Sequence, residues 1–106
     1  MRLFRPFPLS RLVYPEALFR IPATAKELCL TFDDGPHPDS TPEILRILES
    51  HNIKAAFFCN GRQAEKFPEL ARLIVSLGHV IGNHGYDHLN GWKTNDRDYF
   101  ENAQKA

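Results

Sequence analysis

The sequence predicts an α/β fold in which three strand–helix units form a parallel sheet. Three short apolar runs begin near residues 28, 54 and 79, and a helical segment follows each of them. This spacing of about 25 residues leaves room for one crossover helix, which joins parallel strands in the right-handed sense. Each run also ends in polar residues, at the edge where parallel α/β sheets build their sites.

Length and composition are those of one ordinary globular domain. The chain has 106 residues, of which 42% are hydrophobic and 25% are charged, so a packed core is expected. Thirteen basic residues balance thirteen acidic ones, which gives no electrostatic reason to expect a nucleic acid or an anionic membrane as partner. No apolar run reaches the length of a signal-peptide core or of a membrane span. The sequence therefore does not assign the protein to a cellular compartment.

Residues 1–26 lack a clear period and are predicted to form an irregular N-terminal arm. Arginines and prolines interrupt each of its short apolar runs. The side chains expected to pack this arm are Phe4, Phe7, Leu12, Val13, Tyr14 and Phe19. Residues 27–106 carry the three strand–helix units.

The first unit consists of a strand at 28–32 and a helix that opens at Thr41. Thr41 suits the N-cap, Pro42 suits the first helical position, and Glu43 favours the positive end of the helix dipole. The apolar stripe of this helix is Ile44, Leu45 and Leu48.

The second unit consists of a strand at 54–59 and a helical segment at 62–77 that Pro68 interrupts. Gly78 suits a helix terminator, because glycine accepts the left-handed conformation that often ends a helix. The buried stripe of this segment is Leu70, Leu73, Ile74 and Leu77. The third unit begins with a strand at 79–83, and Asp96 is expected to cap the last helix.

The two cysteines are predicted to be core residues and not a disulfide. Cys29 lies four residues before the end of its strand and Cys59 lies one before the end of its own. In paired parallel strands this offset of three residues is about 10 Å of rise, whereas a disulfide needs Cα atoms within about 7 Å.

Carboxylates and histidines follow the first and third strands. Asp33 and Asp34 are adjacent, and because nearby carboxylates make each other costly to ionise, a compensating cation is expected. His84 and His88 are four apart, a spacing that aligns two imidazoles on one face of a helical turn. One carboxylate with two histidines makes three ligands with open positions, which is typical of a catalytic metal site. Taken singly, these motifs are also typical of a turn and of a solvated loop.

The segments LTFDDGP (30–36) and GNHGYDH (82–88) resemble the first and second motifs of polysaccharide deacetylases, the NodB-homology proteins of carbohydrate esterase family 4. The connecting segments TPEIL, KAAFFCNG and GHVIGNH are also similar to that family, and the likeness covers about residues 27–95. The resemblance implies the N-terminal portion, about three βα units, of a distorted (β/α) barrel with parallel strands. Residues 27–106 would then be a partial catalytic domain, truncated at the C-terminus.

The resemblance also implies metal-dependent hydrolysis of N-acetyl groups on a peptidoglycan- or chitin-like saccharide, with release of acetate. Asp34, His84 and His88 would hold one divalent ion, commonly zinc, and Asp33 would be the general base. The ion would polarise the acetamido carbonyl and lower the pKa of water, whose proton Asp33 would take. The resemblance also suggests that the protein is located in the cell envelope or is secreted.

The sequence departs from the family pattern in two respects. Gly85 stands where the second motif usually has Ser or Thr, so a hydrogen bond that braces the loop is expected to be lost. The later motifs are not found in these 106 residues. In the family they supply an arginine that orients the base and a histidine that protonates the leaving amine. A missing C-terminal half or a second chain is therefore an expected partner.

Three further residues are weaker candidates for contacts with the sugar, and each has a structural alternative. His37 either touches substrate or is a loop histidine in water. Asn60 either faces the cleft or closes a turn with Gly61, and Trp92 either stacks on a sugar ring or packs. Two other histidines are assigned to structure, His51 as a helix cap and His79 at the opposite end of the third strand.

Two rival functions remain open at this point. The chain is either a hydrolase of a small non-sugar amide or an inactive metal-binding or structural fragment of a deacetylase.

Overall fold

The structure, a computed structural model, describes residues 10–17 and 25–106, and these form a three-stranded sheet with helices around it. The sheet has the order β1-β2-β3, and both pairs of neighbours are parallel. The strands are β1 (Thr31–Asp33), β2 (Ala56–Cys59) and β3 (Val80–Asn83). The helices are α1 (Ser10–Val13), α2 (Thr41–Ser50), α3 (Gly61–Lys66), α4 (Pro68–Ser76) and α5 (Asp96–Lys105). The predicted α/β class with three parallel strands is confirmed.

One buried cluster joins one face of the sheet to α2 and α4. Phe32 of β1 pairs with Phe57 of β2, and their rings stack with centroids 5.1 Å apart. The buried members of the cluster are Leu45, Leu48, Ala55, Phe57, Cys59 and Ile74. Removal of this apolar surface from water holds the helices on the sheet.

Two helices begin one residue away from the predicted caps. α2 begins at Thr41 and has Ser40 as its N-cap, although the Ser40 side chain makes no capping hydrogen bond. The Thr41 hydroxyl accepts a hydrogen bond of 2.8 Å from the His37 N–H, which precedes the helix. α5 has Asn95 as its N-cap, and the Asn95 side chain accepts from the Asp98 N–H at 2.9 Å. The caps predicted at Thr41 and Asp96 are therefore wrong by one position.

The predicted helix terminator at Gly78 is confirmed. Gly78 has a φ of +80°, its N–H donates to the Val75 carbonyl at 2.9 Å, and the His79 N–H donates to the Ile74 carbonyl at 3.2 Å. These paired bonds satisfy carbonyls that the end of α4 would otherwise leave free. Asn52, with a φ of 53°, ends α2 in the same way.

The break predicted at Pro68 is confirmed, because α3 ends at Lys66 and α4 begins at Pro68. The buried stripe predicted for this segment contains one residue too many. Ile74 is fully buried, and Leu70 and Leu77 lie along the same line of α4 and are partly buried. Leu73 is 38% exposed, which corrects its assignment to the stripe. Successive helical residues point about 100° apart, so Leu73 lies off the line centred on Ile74.

The predictions for the N-terminal arm and for one cysteine are partly wrong. Leu12, Val13 and Tyr14 are exposed, and they lie outside the buried cluster. Phe4, Phe7 and Phe19 lie outside the described residues. Cys29 is exposed because β1 begins only at Thr31, whereas Cys59 is buried as predicted, and both are free thiols. Burial raises the pKa of the Cys59 thiol.

Among residues 10–17 and 25–106, no helix combines the length and the apolar character that crossing a bilayer requires.

Candidate metal centre

Backbone hydrogen bonds join the loops that follow the three strands. The Asn60 N–H, after β2, donates to the Gly35 carbonyl after β1 at 2.8 Å. The Gly61 N–H donates to the Gly85 carbonyl after β3 at 2.9 Å. The carboxyl ends of the strands therefore form one connected edge, and residues about 50 positions apart in sequence meet there.

Asp34, His84 and His88 converge at this edge. The Asp34 Oδ1 atom lies 3.3 Å from the Nε2 atom of His84 and 3.3 Å from that of His88. Potential ligand atoms of all three residues lie within 4.8 Å of one another. The side chains of Asp34, His84 and His88 are 67%, 31% and 60% exposed, so the cluster is open to solvent on one side.

Two separations within this set have the length expected between donors to one divalent ion. Zinc binds histidine nitrogen and carboxylate oxygen at about 2.0–2.2 Å, so two donors of a tetrahedral site lie about 3.4 Å apart. The two separations of 3.3 Å from Asp34 match that value. One carboxylate and two imidazoles are also a donor set that suits zinc and leaves positions for water and substrate.

Left-handed backbone brings the ligands together. Asp34 has a φ of 68° and His88 a φ of 54°, values that cost energy for residues other than glycine and often mark functional sites. Gly85 has a φ of 77°, which glycine accepts without strain. The helical turn predicted for His84 to His88 is therefore wrong, because these residues lie in a loop that folds back on itself.

Asp33 lies beside the cluster, on the other face of the strand from Phe32. Side chains alternate along a strand, and Phe32 belongs to the face that packs on Phe57. Asp33 therefore lies on the open face of the sheet. It lines a cavity of about 280 Å³ together with Asp34 and His37. Asp33 is not one of the predicted ligands, but it lies at the same edge of the sheet as they do.

The three weaker candidates lie in different surroundings. His37 shares the cavity of Asp33 and is half exposed. Asn60 is buried and lines a second cavity of about 540 Å³ together with Asp34 and His88. Trp92 is 100% exposed, so it packs on none of residues 10–17 and 25–106.

The two histidines assigned to structure lie away from this edge. His51 is the C-cap of α2, and its Nδ1 atom lies 2.9 Å from the Ile47 carbonyl. His79 is buried and lies just before β3, and its Nδ1 atom accepts a hydrogen bond of 3.1 Å from the Ala55 N–H. Both structural assignments are confirmed.

The residues that support the histidine loop were not found from the sequence. Asp87 forms an ion pair with Arg62 of α3, and Asn102 of α5 contacts the loop backbone. Asn102 carries one available signal, since asparagine is a poor helix former that usually has a local reason inside a helix. Gly85 lacks a hydroxyl, but its N–H donates to the Asn83 Oδ1 atom at 2.7 Å and so ties this part of the loop to β3.

Fold and site together define an α/β protein with a candidate Asp-His-His metal centre at the carboxyl edge of a parallel sheet. Residues 20–106 match the family model for polysaccharide deacetylases. The chain belongs to this family.

Similar proteins act on two kinds of saccharide. A peptidoglycan-N-acetylglucosamine deacetylase of Bacillus cereus is 51% identical over 81 residues, which are 76% of this chain and 30% of that protein. A chitooligosaccharide deacetylase of Azorhizobium caulinodans is 45% identical over 71 residues, which are 67% of this chain and 34% of that protein.

A solved structure supports the fold. The Bc1960 peptidoglycan N-acetylglucosamine deacetylase superposes with a TM-score of 0.76 at 49% identity and covers 79% of this chain. The match covers 39% of that structure. Structural neighbours of this family have a (β/α) barrel, so the three parallel strands correspond to part of such a barrel. The chain spans about a third of the length of the relatives that it matches.

Proposed function

We propose that this chain is the metal-binding and base-carrying portion of a deacetylase that hydrolyses N-acetyl groups on a saccharide. The observation that carries the proposal is the convergence of Asp34, His84 and His88 within 4.8 Å at an open edge of the sheet. Membership of the polysaccharide deacetylase family and the similarity to two deacetylases support it.

Asp34, His84 and His88 would hold one divalent ion, with zinc the best match to the donor set. When bound, the ion supplies Lewis-acid chemistry that polarises the acetamido carbonyl and lowers the pKa of water. Asp33 would accept the proton of the attacking water, since it lines a cavity together with Asp34 and is not one of the three ligands. The products would be acetate and a free amine on the sugar.

The substrate would be a peptidoglycan- or chitin-like polymer of N-acetylated sugar. The solvent-exposed side of the cluster is where such a polymer could approach without entering a closed pocket. We propose that His37, Asn60 and Trp92 contact the sugar. Trp92 offers a fully exposed indole face, and Asn60 lines the cavity next to two of the ligands.

Acetate release tests this proposal directly. The chain, loaded with zinc, is incubated with N-acetylglucosamine oligomers, with peptidoglycan and with a small N-acetylated amine, and acetate is measured. Release from either saccharide is expected, and Asp34→Ala and His84→Ala should abolish it. His51→Ala is the matched control, because this exposed histidine lies on α2 away from the cluster. Release from the small amine alone would contradict the saccharide assignment.

A second candidate is a metal-binding fragment without activity of its own. The observation that favours it is the coverage, since the chain spans only about a third of its relatives. This candidate predicts zinc binding without acetate release from any of the three substrates.

A further inference from the structure

We infer that Asn102 of α5 is a positioning residue that fixes the loop between His84 and His88 and thereby sets the metal-binding geometry. The part of this inference that concerns metal rests on the proposed function. The part that concerns the loop rests on hydrogen bonds alone.

One side chain amide of Asn102 makes three hydrogen bonds to the loop. Its Oδ1 atom accepts from the Tyr86 N–H at 3.0 Å and from the Asp87 N–H at 3.1 Å. Its Nδ2 atom donates to the Asp87 Oδ2 atom at 3.0 Å. All three bonds are partly buried, so water competes for them less than it would at an exposed surface.

The opposite side of the loop is held by the first residues of α3. The Gly61 N–H donates to the Gly85 carbonyl at 2.9 Å, and the Arg62 N–H donates to the Tyr86 carbonyl at 3.1 Å. The Arg62 guanidinium also pairs with the Asp87 Oδ1 atom. The Asp87 carboxylate is therefore shared by a cation from α3 and an amide from α5.

A further bond ties α5 to the start of the loop. The Asn83 Nδ2 atom donates to the Ala103 carbonyl at 2.9 Å, and its Oδ1 atom accepts from the Gly85 N–H at 2.7 Å. Because Ala103 follows Asn102, two consecutive residues of α5 contact the loop. This is the main polar attachment of a helix in which no residue is buried.

Loop geometry decides where the second histidine lies. His84 is fixed by its N–H, which donates to the Cys59 carbonyl at 3.0 Å, whereas His88 follows three residues whose backbone must fold back. His88 lies in the left-handed region, which costs energy for a residue other than glycine, so support from neighbouring elements is needed to hold this path. Asn102 satisfies two amides in the middle of that path, and so it stabilises the one arrangement that brings both imidazoles to Asp34.

The test compares Asn102→Ala with Gln104→Ala, a control on an exposed residue of the same helix. Zinc affinity is measured by competition with a chelator. Amide hydrogen exchange of Tyr86 and Asp87 is measured in the metal-free chain. We expect Asn102→Ala to weaken zinc binding about 10- to 100-fold, the usual effect of removing a group that orients a ligand, and to speed both exchanges. Gln104→Ala should leave the two readouts at wild-type values.

A pair of exchanged residues separates positioning from a general loss of folding. Asn102→Asp keeps the acceptor for the two amides but places a carboxylate against Asp87, so weaker zinc binding is expected. Combining it with Asp87→Asn restores one amide and one carboxylate in exchanged places but removes the ion pair with Arg62, so a partial recovery of affinity and of slow exchange is expected. Circular dichroism of every variant reports folding.

Unchanged zinc affinity and unchanged exchange in Asn102→Ala would overturn the inference, as would a failure of the exchanged pair to recover if Asn102→Ala unfolds. If the wild-type chain binds no zinc, the proposed function fails. In that case the exchange rates of Tyr86 and Asp87 still decide whether Asn102 holds the loop.

Discussion

Asp33 and Asp34 are adjacent in sequence, yet the backbone gives them different surroundings. Asp33 ends β1 in extended conformation on the open face, whereas Asp34 has a φ of 68° and points to the two histidines. A cation at Asp34 would offset the repulsion between the two negative charges. The proposed division of roles, ligand and base, rests on this difference in surroundings.

This division predicts opposite effects of two similar substitutions. Asp33→Asn removes the proposed base, so acetate release should fall by about 10²- to 10⁴-fold while zinc affinity stays at the wild-type value. Asp34→Asn should weaken zinc binding, and acetate release should fall as a consequence. The two properties are measured by acetate assay and chelator competition on the same preparations. Wild-type acetate release by Asp33→Asn would contradict its role as the base.

His79 makes the stability of the chain depend on pH. Burial, with a further contribution from Lys54, lowers the pKa of His79, although Glu49 acts in the opposite direction. The unfolded chain, with a histidine pKa of about 6.5, therefore binds this proton before the folded chain does. Neutral, buried His79 therefore stabilises the folded chain fully above about pH 6.5, and this stabilisation is lost as the pH falls below that value.

We therefore expect the free energy of unfolding to fall more steeply between about pH 7 and pH 5 in the wild type than in His79→Gln. Glutamine offers an oxygen that can accept from the Ala55 N–H without taking up a proton. Urea unfolding at each pH gives the comparison, and the other histidines contribute equally to both proteins. Equal slopes in the two proteins would show that His79 does not titrate differently on folding.

At the scale of elements, α4 shows how narrow the contact between a helix and the sheet can be. Ile74 is fully buried in the apolar core between α4 and the sheet, whereas its neighbour Leu73 is 38% exposed. The end of α4 at Gly78 then directs the chain straight into β3. Packing along one narrow line, centred on Ile74, therefore holds the helix that precedes β3.

Ile74→Ala should lower the free energy of unfolding by about 2–5 kcal/mol, because it leaves a cavity at a fully buried site. Leu73→Ala is the matched control and should cost markedly less, since much of that side chain already contacts water. Urea unfolding measures both, with the slope against urea expected to stay constant. A loss in Leu73→Ala as large as that in Ile74→Ala would contradict the assignment of the buried line.

Elements and ligand candidates could be read from the sequence because each depends on local signals. Apolar spacing located the strands and helices, and Gly78 and Pro68 marked two helix boundaries. The cap of α5 shifted by one position because the Asn95 side chain, and not that of Asp96, accepts from the Asp98 N–H. The cap of α2 shifted to Ser40, whose side chain makes no capping hydrogen bond. Cys29 was misplaced because strand length depends on pairing with β2, which is not a local property.

The candidate site could be predicted as a set of residues but not as a geometry. Polar residues after each strand placed Asp34, His84 and His88 at one edge. The spacing of the histidines suggested a helical turn, whereas hydrogen bonds from α3 and α5 fold this segment into a loop. Asn102 lies 14 residues beyond His88, and no pattern of sequence spacing links the two.

For the whole molecule, the sheet remains open on one face and at both edges within the described residues. β1 and β3 each pair on one side only, and Val80 of β3 is exposed. The family's barrel would continue from these edges, which agrees with a chain that spans about a third of its relatives. The three proposed ligands nevertheless all lie within this portion, so metal binding is the property to test in the chain itself.

Zinc stoichiometry tests the central claim most directly. The chain is stripped with chelator and titrated with zinc, and the bound metal is counted by native mass spectrometry and calorimetry. We predict one zinc ion per chain, lost in Asp34→Ala, His84→Ala and His88→Ala and retained in His51→Ala. Absence of bound zinc in the wild type, or its retention in all three ligand variants, would contradict the account.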